Sequence, residues 1–390
     1  NSHETGITRR ALRLGWRHHR LVAAARDQLG ASGGGREEAV AAGTFRGGLW
    51  EKDEQSRINI LIQAQKSGAH AIDVEADCFH NFSTSNDCLR ILSYHNFAQT
   101  PANISVLHKA FESQGPELVK IACFANNNSD SVRILNLYQH ASLPLIAFCM
   151  GTIGFPSRIL ALAKKQSPWM YTNFSDNLVN APGIPIFKDV HSIYDIKNLS
   201  HETKVFGVVG DPIGHSLSPA IHNACYKHSG YNGVYLPFHL SATDFSAAIE
   251  AYQSIPVMGY SVTIPHKEKA YQFATTSSDL VKEIGAANTL VKTSNGFHAE
   301  NTDATGIIAA IKNKLGESLD KREALILGAG GVSRAAVFAL KKAGCNVKVC
   351  NRSAERAEKL ASDAGVATIP WNQRHDCKSG LLVNCTSVGM

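Results

Sequence analysis

Two stretches near the middle of the chain, Gly214-His215-Ser216-Leu217-Ser218-Pro219 and Ser261-Val262-Thr263-Ile264-Pro265-His266-Lys267, carry the residue types of one polyol-binding site written in two pieces. Hydroxyls at Ser216 and Ser218 can grip a carboxylate, and the Lys267 amine can take or give a proton at a carbinol carbon. Ser218-Pro219 also reads as a helix start, with Ser218 as cap and Pro219 in the first turn, a role that would aim the two serines. Earlier in the chain, Lys120 interrupts the apolar run Val119-Lys120-Ile121-Ala122. If its side chain points inward, burial disfavours the ammonium and lowers its pKa toward neutrality, as an imine-forming amine requires. The other reading is a lysine pointing outward from an edge strand. Glu75 and His95 close the apolar runs 71–74 and 91–94, and Arg158 follows the loop after Phe148-Cys149-Met150-Gly151.

The elements that must position these residues follow from the pattern. From about residue 42, short apolar runs alternate with helical stretches, which argues for parallel strands joined by crossover helices. Strands are expected at 42–46, 71–76, 89–95, 118–124, 144–150 and 169–174, with helices near 52–67, 103–114, 128–141, 156–166 and 187–197. Such βα units in succession predict a (β/α)₈-type barrel, in which chemistry gathers at the C-terminal ends of the strands. Barrels of this kind usually take about 250 residues, so the segment 42–200 predicts an incomplete one.

Composition sets the outer limits. With 390 residues and 44% hydrophobic content the chain can bury two or three cores, and no apolar run reaches the roughly 18 residues of a membrane span. The formal charge is +6, but residues 1–36 hold seven arginines against Glu4 and Asp27, so most of that charge belongs to the head. The body is nearly neutral, and neither a nucleic-acid partner nor membrane association is expected of it. Nucleic-acid binding through residues 9–20 ranks last, because no aromatic platform accompanies the arginines. The head, residues 1–41, is left unassigned; a targeting segment and a basic arm are both compatible with its composition. Nine cysteines without a Cys-x-x-Cys pair argue against a zinc site or disulfide framework and for a reducing compartment. The expected location is cytoplasmic, or a plastid if the head is a transit segment.

The set Ser93-Tyr94-His95-Asn96-Phe97, Thr100-Pro101, Lys120-Ile121-Ala122, Met150-Gly151 with Ser157-Arg158, and Ala181-Pro182-Gly183 resembles type I 3-dehydroquinate dehydratase over about 42–190. The resemblance implies that Lys120 forms a Schiff base with the substrate ketone. It further implies that His95 moves the protons, that Glu75 orients His95, and that Arg158 holds the carboxylate. Arg46 resembles a substrate-binding arginine of that family, or takes the place of an acid before Gly47-Gly48. The family's first strands have no counterpart in residues 1–41, and Ile184 and Asn180 stand where the family carries glutamine and serine.

Residues 204–390 resemble shikimate dehydrogenase through the two stretches above, Gly285-Ala286-Ala287-Asn288-Thr289, Asn301-Thr302-Asp303 and the glycine-rich turn Gly328-Ala329-Gly330-Gly331. By resemblance, Ser216 and Ser218 bind the carboxylate, Thr263, Asn288 and Asp303 bind hydroxyls, and Lys267 with Asp303 forms the catalytic pair. The glycine turn lies between the strand pattern 324–327 and a helix pattern, the context in which backbone N–H groups cradle a pyrophosphate. Gly328, Gly330 and Gly331 are therefore assigned to the cofactor. Asn351-Arg352-Ser353 ends the next strand, where an arginine favours the 2′-phosphate of NADP over NAD; Thr386 lies in the segment that passes near the nicotinamide in this family. No metal is expected.

The domains expected are a barrel at 42–200, a substrate domain at 201–304 and a Rossmann-like NADP domain at 305–390, shorter at its C-terminus than the family. The fold is α/β throughout. The two resemblances in tandem look like the bifunctional family that dehydrates 3-dehydroquinate and reduces 3-dehydroshikimate to shikimate with NADPH. The alternatives are a shikimate or quinate dehydrogenase with a degenerate barrel, or an inactive fragment.

Overall fold

Four apolar runs of the first half, those expected at 71–76, 89–95, 118–124 and 144–150, become strands of one parallel sheet. In the computed structural model, residues 24–25, 38–40, 53–83, 88–165, 167–173, 182–316, 318–386 and 388 are described. The expected strand at 42–46, Arg46 and most of the basic head lie outside these residues. The first elements are β1 (Ala24–Ala25), β2 (Glu38–Val40), α1 (Glu54–Lys66), β3 (Ala71–Glu75), β4 (Leu89–Asn96), α2 (Ile104–Glu112), β5 (Leu118–Phe124), α3 (Asn128–Asn136), β6 (Leu145–Met150), α4 (Gly151–Lys165), β7 (Trp169–Met170) and α5 (Phe187–Tyr194). Strands β2-β3-β4-β5-β6 pair in chain order, all parallel.

The expected barrel is not seen among the described residues. Five parallel strands form an open sheet, and closure needs more strands at a matched tilt and stagger. The run 169–174 does not join that sheet. Only Trp169–Met170 is a strand, and it pairs antiparallel with β1. Beyond it the Asn173 backbone exchanges hydrogen bonds with the Pro185–Phe187 segment, at 2.7 Å in each direction. The helix expected from 156 starts at Gly151, which leaves β6 with φ of 83°.

Strand alternation sorts this sheet into two faces. Ile72, Val74, Leu92, Val119, Ile121, Cys123, Leu145 and Ala147 pack in one buried cluster with residues of the crossover helices, such as Leu61, Phe111 and Ile134. The opposite face carries Ala71, Ile91, Leu118, Ala122, Ile146, Phe148 and Met150 with Tyr171. Asp73, Glu75, Ser93, His95 and Lys120 share the parity of this second set.

The remaining elements are β8 (Lys204–Gly210), α6 (Ser218–Ser229), β9 (Gly233–His239), α7 (Phe245–Ala251), β10 (Val257–Val262), α8 (Lys267–Phe273), β11 (Thr276–Ser277), α9 (Asp279–Ile284), β12 (Thr289–Thr293), β13 (Gly296–Glu300), α10 (Asp303–Leu315), β14 (Glu323–Leu327), α11 (Gly331–Lys342), β15 (Asn346–Cys350), α12 (Ala354–Ala364), β16 (Ala367–Thr368) and β17 (Leu381–Asn384). They build a six-stranded sheet, β11-β13-β12-β10-β8-β9, and a four-stranded one, β16-β15-β14-β17. The smaller sheet is parallel throughout, and its order is that of a dinucleotide-binding half, with the switch point between β14 and β17. By packing, the chain divides into two compact units: residues up to Lys204 together with Pro219–Val234, and Val205–Ser218 together with Tyr235 onward. Among the described residues no helix is long and apolar enough to cross a membrane.

Arg90 shows how the parallel sheet is tied to its loops. It is 5% exposed, donates to Phe82 O at 3.0 Å and Gly115 O at 2.8 Å, and forks onto Glu117 at 2.9 and 3.0 Å. Arg90→Met would strand two loop carbonyls and the Glu117 carboxylate. Urea unfolding is expected to show a loss of about 2 kcal/mol, less than a fully buried pair would cost because Glu117 reaches solvent.

Candidate active sites

Lys120 settles the alternative that its strand left open. It is 3% exposed and lies on the face shared with His95 rather than pointing out from an edge. Register places Lys120 beside Ser93 and, on the other side, Ile146. Its ammonium is in contact with Asp73 Oδ2 and sits 4.3 Å from the centre of the Tyr171 ring. Burial works against the Asp73 charge, yet Lys120, His95 and hydrogen bonds from Lys120 and Ser93 hold its carboxyl below the usual aspartate range.

His95 ends β4 with its Nδ1 2.9 Å from Glu75 Oε1, so the carboxylate orients the ring. Arg158, 2% exposed, lays its guanidinium 4.1 Å from the Phe148 ring centre. Together His95, Lys120, Arg158, Tyr171, Phe148 and Ile184 line one small cleft. The Pro182-Gly183 loop closes against it: Gly151 N–H donates to Pro182 O at 3.0 Å, and a Cβ on Gly183 would fall 2.7 Å from the Gly151 backbone. Sequence reasoning missed Asp73 and Tyr171. Period-two spacing from Glu75 was the available signal for the first.

In the second unit Lys267, 8% exposed, begins α8 and meets Asp303 Oδ2 at 2.5 Å. Asp303 is aimed by its own helix start: Asn301 Oδ1 accepts the N–H groups of Asp303 and Ala304 at 3.0 and 3.3 Å, while Asn301 Nδ2 donates to Ala286 O at 2.9 Å. Asn288 Nδ2 donates to Asp303 Oδ1 at 2.9 Å and to Thr302 Oγ1 at 2.8 Å. The structure thus brings together Lys267, Asp303 and Asn288. His266, the residue before the lysine, is buried, with Nε2 donating to Leu240 O at 2.8 Å and its ring 5.1 Å from Phe245. Burial pushes its imidazole below the usual pKa. Neither Asn301 nor His266 stood out as a site residue in the sequence.

Thr263 lies between β10 and α8, with its N–H on Val209 O at 3.0 Å. The helix of the two serines starts at Ser218, and the hydroxyl that accepts from its backbone, at 3.3 Å, is that of Ser216. Ser218, expected as the cap, is thus the first residue of the helix itself. At the end of β15, Asn351 Nδ2 donates to Ser353 O at 3.0 Å, and Arg352 is exposed. Thr386 donates from both N–H and hydroxyl to Asn384 Oδ1, at 3.0 and 2.7 Å. Gly328 has φ of 116°, and a Cβ there would meet Ser333 Oγ at 2.8 Å.

Both halves of the chain match known families. Residues 208–290 match the shikimate dehydrogenase substrate binding domain, residues 310–381 the shikimate / quinate 5-dehydrogenase model, and residues 43–201 type I 3-dehydroquinase. Shikimate dehydrogenase (NADP(+)) of Acidiphilium cryptum is 41% identical over 194 residues, which cover 49% of this chain and 70% of that protein. The chain belongs to the shikimate dehydrogenase family. The chloroplastic bifunctional 3-dehydroquinate dehydratase/shikimate dehydrogenase of Arabidopsis thaliana is 33% identical over 371 residues, 89% of this chain, and the chain spans 61% of that relative's length. A crystal structure of shikimate dehydrogenase from Aquifex aeolicus aligns at 37% identity with a TM-score of 0.46, covering 48% of this chain and 70% of that one. This shikimate dehydrogenase family member is thus a homologue of the bifunctional protein, with a dehydroquinase-type domain ahead of its dehydrogenase domains.

The Asp73 carboxyl gives a pH test with a fixed sign. A pKa lower in the folded than in the unfolded chain stabilises above the ordinary aspartate value, about 3.9, and that contribution is lost as pH falls through the folded value. The stability gap between the wild-type chain and Asp73→Asn is therefore expected to be full at neutral pH and to narrow on acidification below about pH 4. Urea midpoints at stepped pH check this; a gap that widened in acid would contradict it.

Proposed function

We propose that the chain carries out two consecutive reactions of the shikimate pathway: dehydration of 3-dehydroquinate at Lys120, and NADPH-dependent reduction of 3-dehydroshikimate at Lys267 and Asp303. The observation that carries this reading is that two buried lysines each meet an aspartate among the side chains that the two half-reactions need.

In the dehydration, the Lys120 ammonium gives up a proton and adds through the freed pair to the C3 ketone; the carbinolamine regains that proton as its hydroxyl leaves as water, giving a protonated imine. Asp73, already in contact, balances the positive nitrogen before and after. His95, held through Nδ1 by Glu75, takes the C2 proton with its other nitrogen, and the electron pair flows into the imine. Return of the pair expels the C1 hydroxyl, which leaves as water with the proton from His95; hydrolysis then frees Lys120. Arg158 pairs with the substrate carboxylate. Arg46 belongs to the same proposal as a carboxylate partner or acid replacement.

In the reduction, Ser216 and Ser218 bind the carboxylate, while Thr263 and Asn288 take ring hydroxyls. Lys267 gives its proton to the carbonyl oxygen as that becomes the carbinol, and Asp303 holds the lysine in place. The residues present fit an NADP-type dinucleotide: a Cβ on Gly330 would meet nothing within 4 Å, so a phosphate has room to approach that side of the turn, where the Gly330 N–H now donates to Ser333 Oγ at 3.2 Å, and Arg352 is exposed where a 2′-phosphate would need a cation. Asn351, Ser353 and Thr386 complete this rim, with Gly328 shaping the turn. When bound, the nicotinamide supplies the hydride.

Loss of NADPH absorbance with 3-dehydroquinate as sole carbon substrate tests the pair of reactions at once. Lys120→Ala is expected to abolish that signal and leave reduction of added 3-dehydroshikimate intact, whereas Lys267→Ala should remove both. Borohydride added with 3-dehydroquinate should fix ligand mass on the peptide containing Lys120. Wild-type protein that oxidises no NADPH with either substrate would sink the proposal.

A further inference from the structure

The glycine-rich turn does not behave as one phosphate cradle. A Cβ built on Gly328 would strike Ser333 Oγ at 2.8 Å and Cys385 O at 3.0 Å, so this glycine serves the turn and the adjoining end of β17. A Cβ on Gly330 would meet nothing within 4 Å. On Gly331 it would fall 2.6 Å from Lys267 Cβ, 3.1 Å from Cδ and 3.3 Å from Cγ. Approach closer than 3.0 Å to a carbon that itself hangs from a helix start cannot be relieved by swinging the end of a flexible chain.

From these contacts we infer that Gly331 is a positioning residue for Lys267, and that phosphate approach falls to Gly330. The lysine is fixed at three levels. Its carbonyl accepts from Ala287 N–H at 2.8 Å, its stem lies in the notch that Gly331 leaves, and its ammonium meets Asp303 at 2.5 Å. The first hold places the backbone and the last engages the amine; the middle one selects the direction of the stem between them. A methyl group in the notch forces the stem aside and draws Nζ away from Asp303. Because Gly330 and Gly331 are adjacent, the open side of the turn and the notch belong to one backbone segment, which ties the lysine's placement to the turn.

The catalytic consequence rests on the proposed reduction, but the contact itself can be tested without turnover. Gly331→Ala is expected to lower kcat for 3-dehydroshikimate reduction by roughly ten- to a hundredfold, with the NADPH dissociation constant, read by fluorescence titration, changed less than about threefold. Gly330→Ala should do the reverse and weaken NADPH binding by roughly tenfold or more. Independently of activity, amine-reactive labelling followed by peptide mass spectrometry should modify Lys267 faster in Gly331→Ala than in the wild-type chain. Thermal unfolding supplies a second route should the variant fold poorly. The loss in Tm on Gly331→Ala should disappear in a Lys267→Gly background, where the opposing Cβ is gone. If Gly331→Ala weakens NADPH binding, leaves kcat and Lys267 labelling as they were, and keeps its Tm penalty in the Lys267→Gly background, the inference is overturned. A wild-type chain without reductase activity would instead remove the proposed function and leave the labelling and Tm comparisons to decide the contact.

Discussion

Burying an ammonium group costs several kcal/mol unless an opposite charge and further hydrogen bonds meet it, and removing the partner costs about 3–5 kcal/mol. Two lysines of this chain are placed under that constraint, Lys120 against Asp73 and Lys267 against Asp303. Much of the local architecture supports those two contacts. In the parallel sheet, Asp73 and Lys120 come from different strands and face one another only because β4 holds the register between them, with Ser93 beside both Glu75 and Lys120. A slip of one residue in β5 would turn Lys120 into the helix-packed layer and take from Asp73 its lysine partner.

The second pair is assembled from ends rather than from strand faces. Lys267 opens one helix and Asp303 another, and each start is fixed by a side chain that does no chemistry itself. His266 ties the first to Leu240, and Asn301 ties the second to Ala286. Small residues let the supporting helices approach: Ala286, Ala304, Ala335 and Ala339 form a buried cluster with Ile284. Arg334 adds a polar clamp, donating to the Ile284 carbonyl and pairing with Asp363 at 2.8 Å. Such a site depends on the His266 and Asn301 bonds that hold the two helix starts, whereas the Lys120 site depends on sheet register.

The sequence made the four strands at 71–75, 89–96, 118–124 and 145–150 readable because each is a short apolar run bounded by turn or helix residues, and their periodicity needs no distant partner. Lys120, His95 and Glu75 could be read for a related reason: a charged residue in such a run needs an explanation. Asp73 was harder. It sits in the same run as Glu75 but gains meaning only from Lys120, 47 positions away, and no local pattern carries that pairing. The strand expected at 169–174 failed because its apolar start is followed by Thr172-Asn173, whose backbone finds partners in the 185–187 segment. Closure of a barrel was beyond periodicity altogether, since it depends on strand number and stagger rather than on any one strand. Gly331 was read as part of a phosphate motif, and its contact with Lys267 joins segments that the motif does not mention.

The two lysines also differ in what their surroundings demand of motion. Lys120 is held within the central span of a strand with neighbours on both sides, and its carbonyl partner would be brought to a rigid amine; covalent catalysis gains from that rigidity because the reacting nitrogen need not be reordered. Lys267 stands at the first residue of a seven-residue helix, beside a turn in which Gly330 leaves open space while Gly331 lies against the lysine's own stem. Its amine is held to Asp303, which is itself tethered through Asn288 and Asn301 to the same neighbourhood. On the proposed mechanism, the strand site carries the bond to the protein and the helix-end site the proton transfer beside a ligand that must enter and leave. That division matches where each lysine lies, one inside a strand and the other at the first residue of a helix.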